Sequence, residues 1–79
     1  MERAEILSRM SAVFSELLDH PVVLGEKTVA GDVEGWDSLA HIQLVVAVEK
    51  HFKVRFTSKE IQRWADVSEM VDSVAAKAT

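Results

Sequence analysis

The sequence predicts an all-α fold: a four-helix bundle with a short third helix and a long irregular connection between the first two helices. Three observations carry this prediction. Apolar residues recur at helical spacing in the N-terminal, central and C-terminal parts of the chain. The single proline and all three glycines fall in one stretch, as Pro21, Gly25, Gly31 and Gly35. Two Thr/Asp-x-x-Glu patterns, a local helix-start signature, stand in front of the last two apolar runs.

The first helix is expected over residues 2–18. Ile6, Met10, Val13 and Leu17, with Leu7, Phe14 and Leu18 alongside, make one apolar face. It should stop near Asp19, because Pro21 disfavours helical geometry at His20. Residues 20–37 follow as a connection longer than most small domains contain, and such loops are often functional. Val22, Val23, Leu24, Val29, Val33 and Trp36 are read as pegs that pin it to the core.

Residues 38–52, SLAHIQLVVAVEKHF, contain a β-branched run that would suit a strand. Helix is preferred. The segment has no Gly or Pro, it opens behind Asp37 and Ser38, and Leu39, Ile42, Val45 and Val46 keep helical spacing with Leu44, Val48 and Phe52 beside them. A helix so widely apolar is expected at the centre of the bundle, with its Val/Leu/Ile stripe in the core. Thr57 to Glu60 should open a short helix over about 58–64. Asp66 to Glu69 should open the last, over about 67–77, with Val67, Met70, Val71 and Val74 facing inward.

Seventy-nine residues are expected to form a single domain, 1–79. No cysteine is present, which excludes disulfides and thiolate chemistry and agrees with the cytoplasm. The N-terminus lacks the continuous apolar region of an export signal, and no run approaches membrane-spanning length. His41 and His51 lie too far apart along a helix to share a metal, so no metal site is expected. The net charge of −4 argues against nucleic acid as a partner. Its distribution is uneven: residues 1–37 carry net −5, residues 38–65 net +3 and residues 66–79 net −2.

The chemistry concentrates in Gly35-Trp-Asp-Ser-Leu39. Ser38 admits three readings. As a helix cap, Asp37 or Ser38 satisfies free N–H groups, a contribution of about 1 kcal/mol. As a nucleophile, Ser38 would need His41 as base. Asp37, adjacent in sequence, is badly placed to orient that base, and neither Gly-x-Ser-x-Gly nor Asp-x-x-His occurs. As an attachment point, a serine at a helix start can carry a phosphodiester, because the helix dipole and free N–H groups favour phosphate there. Asp37 would then assist the Mg²⁺ that a transferase brings.

Asp32-Val-Glu-Gly-Trp-Asp-Ser-Leu39, the apolar helix ending Glu-Lys-His-Phe52, and the Val-Arg-Phe56 turn before Thr-Ser-Lys-Glu-Ile61 resemble acyl carrier proteins over nearly the whole chain. The resemblance implies 4′-phosphopantetheine on Ser38, carrying cargo as a thioester, with Asp37 assisting modification and no catalysis by the chain itself. It implies Leu39 as an exposed contact for the transferase and partner enzymes. Trp36, Glu34, Ile42 and Arg55 are candidates for the same surface, although Trp36 and Trp64 also read as packing anchors. The expected partners are a phosphopantetheinyl transferase and acyl- or aminoacyl-loading and acyl-transferring enzymes, met by a monomer.

One departure stands out. Acyl carriers of bacterial fatty-acid synthesis resemble one another in an acidic second helix. Here only Glu49 is acidic between Ser38 and Lys59, while Lys50, Lys53 and Arg55 are basic. The expectation is a specialised fatty-acid, polyketide-like or related pathway. An aminoacyl or peptidyl carrier is the nearest alternative. A helical interaction domain whose Ser38 is only a cap is the alternative of a different class.

Overall fold

The computed structural model describes residues 2–78. Four α-helices appear: α1 (Arg3–Leu18), α2 (Ser38–Phe52), α3 (Ser58–Arg63) and α4 (Val67–Lys77), with a 3₁₀ turn at Ala30–Asp32 inside the long connection. Among the described residues there is no strand.

The ends of α1 and α2 obey local rules. Both stop on a residue in the left-handed region, Asp19 at φ 60° and Lys53 at φ 58°. The α3 box forms as expected. Glu60 N–H donates to Thr57 Oγ1 at 3.2 Å, and Thr57 N–H donates to Glu60 Oε1 at 2.9 Å. Lys77 of α4 adds an ion pair to the same carboxylate at 3.0 Å. The Thr57 N–H bond, then Lys77, holds the Glu60 carboxyl below its ordinary range.

The corresponding box at Asp66 does not form. The Asp66 side chain makes no cap bond, accepting instead from the Ser68 hydroxyl, while Glu69 accepts from Ala65 N–H. Glu69 N–H, the donor the box requires, goes instead to the Asp66 carbonyl at 3.3 Å. Val67 N–H donates to Thr28 C=O at 2.9 Å and Ser68 N–H to Glu26 C=O at 2.8 Å. Two orphan donors of the α4 start are thereby satisfied by the connection between α1 and α2.

The core joins Ile6, Met10 and Phe14 of α1 to Leu44, Val48 and Phe52 of α2 and to Val67, Met70, Val71 and Val74 of α4. The central helix is α1, which packs against both α2 and α4, whereas α3 leans on α4. That corrects the expectation for α2. Its apolar residues divide: Ala40, Leu44, Val45, Val48 and Phe52 are buried, but Leu39, Ile42 and Val46 are 68%, 64% and 43% exposed. Hydrophobicity around a helix gives no guarantee of enclosure when only one neighbour packs on it.

The connection is pinned by hydroxyls as much as by apolar pegs. Leu24 N–H donates to Ser11 Oγ at 2.9 Å and Val22 N–H to Ser15 Oγ at 2.8 Å. Ser11 and Ser15, one helical turn apart on α1, thus grip alternate residues of an extended segment. Alternation then sends Val22 and Leu24 into the core and Val23, 91% exposed, into solvent. Val29 is exposed as well, so Val23 and Val29 are not pegs, while Val33 and Trp36 pack against the core. At the chain start, the Arg3 guanidinium bonds Glu26 of the loop and Asp72 and the Ser68 carbonyl of α4.

Ser11→Ala should strand the part-buried Leu24 N–H and destabilise the fold by about 1–3 kcal/mol. Ser8→Ala, at an exposed position of the same helix, should change stability by less than about 0.5 kcal/mol. Equal urea midpoints for the two variants would contradict the hydroxyl clamp.

Candidate functional site at the start of α2

The chain approaches α2 through Gly35, whose φ of 88° lies where a Cβ is strained. Trp36 N–H donates to Val33 C=O at 3.2 Å, and Asp37 N–H to Gly35 C=O at 3.1 Å. The turn sends Trp36 inward and leaves Asp37 in extended geometry as N-cap. Asp37 Oδ1 accepts the Ala40 N–H at 2.8 Å. Of the two expected cap candidates, Asp37 therefore performs the role, and Ser38 is the first helical residue.

Ser38 is exposed, as is its neighbour Leu39. Among the described residues, no protein acceptor meets the N–H of either Ser38 or Leu39. Two donors at the positive end of a 15-residue helix thus stand open beside the hydroxyl. Among the described residues, nothing donates to the second Asp37 oxygen. The site fits a phosphodiester on Ser38 and a transiently shared cation at Asp37.

His41, one turn further along α2, is not arranged as a base for Ser38. Its Nδ1 accepts the Trp36 indole N–H at 3.0 Å. The imidazole also stacks on Trp36, ring centres 6.0 Å apart, and meets the edge of Trp64 at 6.5 Å. Phe14 closes the row on one side, 4.9 Å from Trp36, and Phe56 on the other, 4.9 Å from Trp64. Trp64 in turn donates to Ser73 Oγ at 3.0 Å. Both indoles are half-buried anchors, and the row of five rings binds the loop, α1, α2 and the α3–α4 junction beneath the serine.

The other sequence candidates fall as follows. Glu34 is exposed on the loop and Arg55 just beyond α2. Ile42 stands one turn below Leu39 on the exposed face, and Trp36 lies inward against Phe14. Two residues were not anticipated. Val46 continues the Leu39–Ile42 line, a continuation visible in the i, i+3, i+7 spacing but read as core. His20 clasps the loop: its ring nitrogens lie 2.7 Å from the Glu34 carbonyl and 3.2 Å from that of Pro21. No linear motif announces that contact.

With a carbonyl facing each ring nitrogen, the doubly protonated imidazolium is the form that satisfies both. The Glu34 carbonyl, then that of Pro21, raises the His20 pKa from its ordinary 6.5. The clasp therefore contributes fully below about pH 6.5 and is lost as pH rises through the elevated folded value. NMR titration of the His20 ring should show that elevation, and His20→Ala should remove the accompanying pH dependence of stability. An unshifted titration would mean that the clasp does not hold in solution.

Comparison with known proteins agrees with this geometry. The family described as Phosphopantetheine attachment site matches residues 8–74. The acyl carrier protein of Acidothermus cellulolyticus is 31% identical over 77 residues, 95% of this chain and 90% of that protein. That of Thermosynechococcus vestitus is 29% identical over 79 residues, 98% and 96% of the respective chains. The solution NMR structure of holo acyl carrier protein from Geobacter metallireducens superposes with a TM-score of 0.84 at 34% identity, covering 91% of this chain and 84% of that one. A family match over most of the chain, a relative above 30% identity and the shared fold lead to one conclusion: the chain belongs to the acyl carrier protein family, non-catalytic carriers with a covalently attached 4′-phosphopantetheine.

Proposed function

We propose that Ser38 is the attachment residue and that the chain is a single-domain, cytoplasmic carrier for a specialised biosynthetic pathway. The observation that carries the assignment is the exposed serine on the first turn of α2 beside two open N–H groups. The attached arm supplies a thiol that holds cargo as a thioester. The protein's own residues supply position: the helix start faces the phosphate, Asp37 holds that start in shape, and the aromatic row keeps it fixed on the bundle. Tethering then presents one cargo to successive enzymes at high local concentration.

Support for a specialised pathway comes from the face below Ser38. Glu49, the single acid of α2, is turned to the backbone, its Oε2 accepting Phe56 N–H at 2.8 Å. Ala40 is buried and contributes nothing to that surface. An enzyme that recognises carriers through a basic patch finds no carboxylate row there.

Incubation with a promiscuous phosphopantetheinyl transferase and coenzyme A should add one phosphopantetheine mass, and Ser38→Ala should abolish the addition. Modification of the alanine variant, or none of the wild type, contradicts the assignment. Asp37→Asn separates two roles of the neighbouring acid. Asn caps about as well as Asp, so Tm should hold. If the free carboxylate oxygen assists the metal, modification should slow by about ten-fold or more. Equal modification rates would leave Asp37 as a cap alone.

A further inference from the structure

The exposed face of α2 carries three things in order. At its N-terminal end stand Ser38 and Asp37, with the exposed acids Asp32 and Glu34 on the loop that leads into it. Along its middle run Leu39, Ile42 and Val46, the most exposed large apolar side chains of the helix. At its C-terminal end and just beyond stand Lys50, Lys53 and Arg55, all exposed. Two shallow depressions of ≈ 370 and ≈ 580 Å³ share Val46 and Lys50, so the apolar middle runs without a break into the basic end.

The three cations are uncommitted. Among the described residues, the cationic side chains in ion pairs are Arg3, Arg9 and Lys77. Glu49, the carboxylate nearest them in sequence, serves the Phe56 N–H. Lys53 also sits at φ 58°, where glycine is the cheaper residue, so a charged side chain stands at a position whose backbone does not ask for one. Fifteen residues at about 1.5 Å each separate Ser38 from Lys53, roughly 22 Å along the axis.

From this arrangement we infer that α2 is a dipolar docking face for enzymes of the chain's own pathway. The fitting enzyme surface carries cations at the mouth that admits the arm, an apolar contact opposite Leu39, Ile42 and Val46, and carboxylates about 20 Å further on, opposite Lys50, Lys53 and Arg55. The inference rests on the Ser38 assignment: an enzyme that takes the arm must lie against the surface beside its root, and this surface is the one described. Opposite charge at the two ends admits one docking direction and opposes the reverse, which a face of uniform charge cannot do.

The test uses intact holo-protein, its Ser38 loading first established by mass. The probes are a housekeeping malonyl-CoA transacylase and a version of it whose carrier-docking cations distant from the active site are changed to glutamate. A housekeeping acyl carrier, run in parallel, verifies that both transacylases remain active. The wild-type protein should prefer the glutamate version by about ten-fold in kcat/KM at low salt, and the preference should fade as salt screens the contacts. Lys50→Glu/Lys53→Glu/Arg55→Glu should reverse the preference. Lys53→Gly removes one charge while suiting the backbone; it should hold or raise Tm yet reduce the preference about two-fold. Equal kcat/KM with both transacylases, or no change in the triple variant, overturns the proposal. So does charge-dependent sedimentation with phosphatidylglycerol vesicles, or a dimer in sedimentation velocity that the triple variant loses, since those outcomes assign the face to a membrane or to a second copy. A wild type that accepts no phosphopantetheine fails at the earlier step, and then the Ser38 assignment falls with the face built on it.

Discussion

Nineteen residues between α1 and α2, irregular apart from the 3₁₀ turn at Ala30–Asp32, must satisfy their backbone polar groups with no sheet or α-helix of their own. The solution is the constraint on which the rest of the structure depends. Ser11 and Ser15 take N–H groups from the segment's beginning, and the first N–H groups of α4 take carbonyls from its middle. His20 and Arg3 add charged contacts on either side. The loop is consequently a structural layer shared by α1 and α4. Its last residues, Gly35 to Asp37, deliver α2 with a fixed orientation of its first turn.

This division of labour explains why a chain so short can leave large apolar side chains in solvent. A domain of this size buries only about 60% of the surface of its unfolded chain, so each buried residue counts. The core is assembled from one face each of α1, α2 and α4 plus Val22 and Leu24 of the loop and Val54 beyond α2. Leu39, Ile42 and Val46 add nothing to it and stay largely in solvent. Their exposure is a cost in solubility that folding alone does not demand.

Much of this was legible in the sequence, and the failures share a cause. Helix positions followed from periodicity, and the α3 start from Thr57 and Glu60, because those bonds are local. The same pattern at Asp66 misled, since the Ser68 hydroxyl and Ala65 N–H took its two carboxylates and Glu69 N–H found the Asp66 carbonyl, while carbonyls some forty residues away in the chain served Val67 and Ser68. Ser11 and Ser15 carry no local signature; their partners are visible only once the loop is laid beside α1. Ser38 was readable by type and place at a helix start. The Trp36–His41 bond was not, because nothing in their spacing distinguishes it from solvated neighbours. The wide apolar stripe of α2 was visible, but how many helices cover it is a property of the assembled bundle.

The chain contains two tryptophans and no tyrosine, and both indoles belong to the ring row under Ser38. Its near-ultraviolet emission therefore originates entirely from this one neighbourhood. Each indole N–H is fixed to a partner, His41 or Ser73, and the His41 imidazole touches both rings. Any event that shifts His41 or reorders the first turn of α2 is written into the brightness and colour of the protein's own light. The carrier can be followed through its working cycle without a label.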